Sequence, residues 1–151
     1  MSELTLSPDA LKVMDDAGWD YSLRCLPGNF QCSYYQCSNR VEIASDLRDY
    51  TGYGVSHYDT SVDKGYWYVS LRTDDECIDF ARRYNEYDKA RQRINNALFN
   101  GVLLLTKGQY DKAAKMLDRY DKRFVGDWVM IAIPEEETTK RITAILDALG
   151  M

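Results

Sequence analysis

Apolar positions along the chain switch between a period of two and a period of three to four, and each switch marks the edge of an element. Ser7-Pro8-Asp9 opens a helix with a serine cap, proline at the first helical position and an acid in the first turn. Leu11, Met14 and Ala17 line one face of it, and Gly18 can end it in a left-handed conformation. Tyr21-Ser22-Leu23-Arg24-Cys25 alternates as a half-buried strand does, up to the stop at Pro27-Gly28. Residues 29–37 are polar and aromatic, and fit either a strand or an ordered loop. Asn39 followed by Glu42 resembles a capping pair opening a short helix, with Val41, Ala44 and Leu47 inward and Gly52 closing it.

A hairpin follows, with strands over 53–58 and 66–72. In the second strand Trp67, Val69 and Leu71 share one face, while Tyr66, Tyr68, Ser70 and Arg72 share the other. Thr73-Asp74-Asp75-Glu76 is a capping box that leads straight into a helix. Cys77, Phe80, Tyr84, Tyr87, Ile94, Leu98, Val102 and Leu105 form a face too long for one straight helix, so a break is expected near Asn95-Asn96. Lys107-Gly108 ends the second piece, and Tyr110, Ala113, Leu117 and Tyr120 mark another helix. Residues 127–133 read as a strand apolar on both faces, hence central. Pro134 and Glu135, Glu136 and Glu137 begin a last helix with Ile142, Ile145 and Leu149 inward.

Gly101, Leu104, Gly108, Tyr110, Ala113 and Leu117 fall at offsets that resemble a single tetratricopeptide-type unit over 97–120. The resemblance covers about a sixth of the chain without a second copy, and such repeats need about three units for a stable solenoid. It therefore implies a helical hairpin at about 97–121 inside a larger domain. The fold expected is one α+β domain over 1–151: a small, mostly antiparallel sheet of about four strands (21–25, 53–58, 66–72 and 127–133) packed with five or six helices.

Composition agrees with a folded chain, since 45% hydrophobic and 28% charged residues are globular rather than disordered proportions. The longest apolar run, Val102-Leu103-Leu104-Leu105, is far short of a membrane span. No basic start or apolar leader is visible, which makes the cytoplasm the expected location. The formal charge of −5 is uneven: residues 82–123 hold eleven Lys or Arg against five Asp or Glu.

Groups for chemistry near neutral pH are scarce: one histidine, His57, and four cysteines, Cys25, Cys32, Cys37 and Cys77. The cysteine spacing lacks the close pairs of zinc sites, and no cofactor is expected. Ser56-His57-Tyr58-Asp59 offers triad residue types only by adjacency, and strand neighbours point to opposite faces. A small enzyme or zinc protein using His57 and the cysteines is the least supported of three alternatives. Basic stripes of Arg82, Lys89 and Arg93, and of Lys112, Lys115, Arg119 and Lys122, form a nucleic-acid surface if their helices are neighbours, with Tyr87 or Tyr120 as a stacking rim. Equally, such stripes are the solvated faces that helices normally carry.

The leading expectation rests on tyrosine, present twelve times and often beside aspartate. Its broad ring, polar tip and two torsions suit recognition. Tyr84, Tyr110 and Tyr120 fall on apolar helix faces and are expected in the core or at its boundary. Tyr34, Tyr35, Tyr58, Tyr66 and Tyr68, with Arg72, remain as candidate contacts with a protein partner. That makes the chain a non-catalytic cytosolic binding protein, a stoichiometric inhibitor or adaptor. Its size and style resemble the accessory proteins that phages and mobile elements direct against host machinery.

Overall fold

The structure, a computed structural model, describes residues 7–26, 29–37, 44–60, 63–71 and 73–151, with the backbone alone at 20–26, 29–37, 57–60 and 63–66. It is α+β, as expected, but its contacts gather into two compact units, Met1–Tyr87 and Asp88–Met151. Each unit has its own four-stranded antiparallel sheet, so the described residues hold two sheets where the sequence pattern suggests about four strands in one.

In the first unit α1 (Pro8–Asp16) leads to β1 (Asp20–Leu26) and β2 (Asn29–Cys37), then α2 (Ala44–Thr51), β3 (Ser56–Thr60) and β4 (Asp63–Leu71). The sheet order is β1-β2-β4-β3. Ser7 caps α1, its side chain accepting from the Ala10 N–H, and Gly18 takes φ +86° beyond the helix end. The ambiguous segment 29–37 is thus a strand, paired on both sides. Asn39 and Val41, the expected opening of α2, lie outside the described residues, whereas Leu47 is buried. Val69 and Leu71 of β4 pack with Met14, Trp19, Cys77 and Phe80. Trp19 is fully buried, edge-on to the rings of Phe80 and Tyr84.

Helix α3 (Asp74–Ala97) starts where the capping box predicts, with the Glu76 N–H donating to Thr73 Oγ1 at 3.1 Å. It then runs 24 residues with no break at Asn95-Asn96. Its apolar face is long because it serves two cores: Cys77, Phe80 and Tyr87 belong to clusters of the first unit, Ile94 and Ala97 to the core of the second.

The second unit continues with β5 (Leu98–Phe99), β6 (Val102–Thr106), α4 (Lys107–Leu117), β7 (Lys122–Val125), β8 (Trp128–Ala132) and α5 (Thr139–Leu149). Its sheet order, β5-β6-β8-β7, is that of the first sheet: first, second, fourth, third strand. Both units place a helix before the first strand, one between the second and third, and one after the fourth. The architecture is therefore used twice, with α3 closing one round and opening the next.

The helical hairpin expected at 97–121 is corrected by this arrangement. Asn100 and Gly101 both have positive φ, +50° and +76°, as the two central residues of a type I′ turn require. They join β5 to β6, and the Asn-Gly pair outweighs a helical spacing of leucines. Thr106, which then caps α4, forms a capping box with Gln109. The last helix also begins later than expected, after a Thr138 cap, because 134–138 forms a turn that turns the Glu137 carboxylate inward. Strand 127–133 is central as predicted, between β6 and β7.

Gly101 supplies a direct test. A Cβ there meets nothing closer than the Ile133 carbonyl oxygen at 3.7 Å, so space is adequate, but φ is left-handed. Gly101→Ala is expected to lower stability in urea unfolding by about 1–2 kcal/mol. A helical hairpin would gain roughly 1 kcal/mol from the same change, so a stabilised variant would contradict the turn.

Candidate functional site

In the first sheet, register sorts the candidate tyrosines by face. Tyr34 pairs with Ser70, Tyr58 with Tyr66, and Tyr68 with both Ser56 and Gln36. Alternation from Ser70 and Tyr68 therefore puts positions 34, 58, 66 and 68 on one face of the sheet. Ser56 and Ser70 on that face are exposed and Tyr68 is half-buried. Tyr35 pairs with Val69 and His57 with Trp67, which places both positions on the opposite face, where Val69 is buried. Arg72 lies outside the described residues. Cys25, Cys32 and Cys37 are strand positions with only their backbone described, while Cys77 is a buried thiol in the apolar core. Among the described residues, no three His, Cys, Asp or Glu side chains group as metal ligands do.

The basic stripes are partly engaged in internal contacts. Arg82 pairs with Asp79 at 2.9 Å, Arg93 with Asp147 at 2.7 Å, and Lys122 Nζ donates to the carbonyls of Asp118 and Tyr120. Lys89, Lys112, Lys115 and Arg119 are exposed, and among the described residues no ion pair engages them. Helix α4, which bears Lys112 and Lys115, packs chiefly on α5, β6 and β8. Tyr87 and Tyr120, the expected stacking rim, are both buried.

These tyrosines instead bind carboxylates remote in sequence. The Tyr87 hydroxyl donates to Asp46 at 3.0 Å, Tyr53 to Asp79 at 2.8 Å and Tyr120 to Glu137 at 2.6 Å. Arg82, Tyr53 and Arg83 together hold the Asp79 carboxyl at about 2, while burial and the Asp79 bond push Tyr53 up to about 12. Burial favours the neutral form of Glu137, but the Tyr120 hydroxyl, the Thr138 N–H and Arg141 outweigh it and hold the carboxyl below its ordinary 4.5. Burial first, then the Glu137 bond, pushes Tyr120 to about 12. All these groups move away from neutrality, the reverse of what proton transfer near pH 7 requires.

A cleft of about 590 Å³ in the second unit is lined by Arg91, Asn95, Asn100 and Glu135 among others, and Arg91 there donates to Thr139 at 3.3 Å. No helix among the described residues is long and apolar enough to cross a membrane.

The feature that the sequence reading overlooked is the outer face of the second sheet. Its inner face, carrying Leu103, Leu105, Val129 and Ile131, is buried under α4 and α5. On the other side, Phe99, Val102 and Ala132 lie in one row, Leu104, Met130 and Arg123 in the next, and Thr106, Trp128 and Val125 in the third. Phe99 is 79% exposed, Leu104 50%, Trp128 49% and Val125 48%. Continuous apolarity in 129–133 is the signal for it: a strand apolar on both sides needs cover on both sides, and helices cover one. No family model matches the chain, nor does any curated protein or solved structure.

The Tyr120–Glu137 pair carries a pH prediction. Glu137 titrates lower folded than unfolded, so its stabilisation is complete above pH 4.5 and is lost as the pH falls below that value. Tyr120 titrates higher folded, so its share is complete below its ordinary 10.0 and is lost as the pH rises towards 12. Tyr120→Phe is expected to cost about 1.5–3 kcal/mol near neutrality, the range for a hydrogen bond to a charged group. Denaturant melts across pH should show that deficit shrinking at both extremes.

Proposed function

We propose that this protein works without catalysis, as a stoichiometric inhibitor or adaptor that binds another protein in the cytoplasm. The observation that carries the reading is the face of the first sheet on which Tyr68 lies between exposed Ser56 and Ser70, with positions 34, 58 and 66 in register beside it. Rigid rings flanked by small polar residues form the composition of a recognition surface, in which aromatic anchors contribute most of the affinity and their neighbours exclude water. The shifts of Asp79, Tyr53, Glu137 and Tyr120 away from neutral pH support a structural role for those ionisable groups. Occlusion is the mechanism: the tyrosine face docks on a complementary surface and blocks it, as the accessory proteins of phages and mobile elements do to host machinery.

The test is a double variant. Tyr66→Ala with Tyr68→Ala should weaken binding to a partner recovered from the source cells by about 2 kcal/mol or more, the range of interface hot spots. Circular dichroism would establish that the variant is folded. Unchanged affinity in a folded double variant would remove this surface from the mechanism.

A further inference from the structure

We propose that the outer face of the second sheet is a self-association surface, occupied by the same face of a second copy of this chain. Monomers seldom leave contiguous apolar areas of more than a few hundred Å² in water, and here Phe99, Leu104, Val125 and Trp128 are each about half exposed or more in adjacent rows. An aromatic side chain offers about 150–250 Å². Two such rings with Leu104, Val125 and the strand surface between them give on the order of 500 Å² per copy, so a pair would cover about 1,000 Å², the lower end for a specific interface.

The scarcity of charge on this face selects a second copy over an unlike partner, because the interfaces of homodimers are the more apolar ones. Arg123, opposite Met130 in the middle row, is exposed at the β7 border of this face. Asp121, also exposed, stands two residues before it, with its carbonyl accepting the Ala132 N–H at 3.0 Å. One border thus presents an anion and a cation side by side. Charge is thus confined to the border of this face, leaving a centre free of it, as in the isologous interfaces of homodimers. Apart from Thr106 at its far end, the rest of the face is apolar.

Sedimentation equilibrium of the full chain over a range of concentrations tests this. The expected mass is twice 17.5 kDa, with Leu104→Glu and Trp128→Ser each returning it to a single chain while circular dichroism is unchanged. A wild-type chain that stays monomeric overturns the proposal, whether or not another protein is captured on this face. So does a dimer indifferent to Leu104→Glu and Trp128→Ser. The tyrosine variants report on a different sheet, so either surface can fail without the other.

Discussion

A sheet has two sides, and a short chain rarely supplies helices for both. That constraint organises each unit of this protein. Val69 and Leu71 in the first sheet, and Leu103, Leu105, Val129 and Ile131 in the second, are driven out of water against helices on one side. Nothing comparable is required of the outer faces, so their residues are free to differ. The buried run Val69, Leu71 in β4 has its counterpart in Val129, Ile131 of β8. Alternating with those positions, outward, stand Tyr68 and Ser70 in one unit and Trp128 and Met130 in the other. One architecture thus offers two chemically unlike surfaces, one of tyrosine and serine, the other of large apolar groups.

Tyrosine–carboxylate bonds join elements that lie far apart in the chain. Tyr87 ties α3 to α2 through Asp46, and Tyr53 ties the segment after α2 to the start of α3 through Asp79. Tyr120 ties the residues after α4 to the approach of α5 through Glu137. A ring buries area while its hydroxyl satisfies a carboxylate that burial would otherwise penalise. At Tyr53 and Tyr120 burial comes first and the carboxylate bond second in favouring the neutral phenol, and the same two bonds help to keep Asp79 and Glu137 charged.

The helix starts at Ser7 and Thr73, the strands β1, β4 and β8, and the α+β class were legible because caps and alternation are local signals. The turn signal of Asn100-Gly101 is equally local, but it stands among apolar residues whose spacing by itself predicts a helical hairpin. The repeated architecture was invisible for a different reason. Burial constrains alternate positions to be apolar without constraining which apolar residue stands there, so Val69-Ser70-Leu71 and Val129-Met130-Ile131 share a pattern and little identity. The tyrosine bonds were not legible because their partners lie 41, 26 and 17 residues away. Sequence gives which side of a strand is apolar; it does not say how many layers the rest of the chain will provide.

The borders of the second sheet show how an apolar face is kept from indiscriminate association. Strand edges are the usual liability, because unpaired backbone groups recruit other strands. Here one edge, β5, is two residues long, and the other, β7, is four residues with Lys122 and Arg123 at its start. Short, charged edges discourage strand addition. The face between them has no such protection: Phe99, Leu104 and Trp128 project from it without an intervening charge, and Arg123 is confined to its border. Leu104 and Trp128, each about half exposed, are positions where a lysine or glutamate would fit without burial of its charge. An apolar centre kept between guarded edges is the pattern of a surface meant to be covered by one specific neighbour.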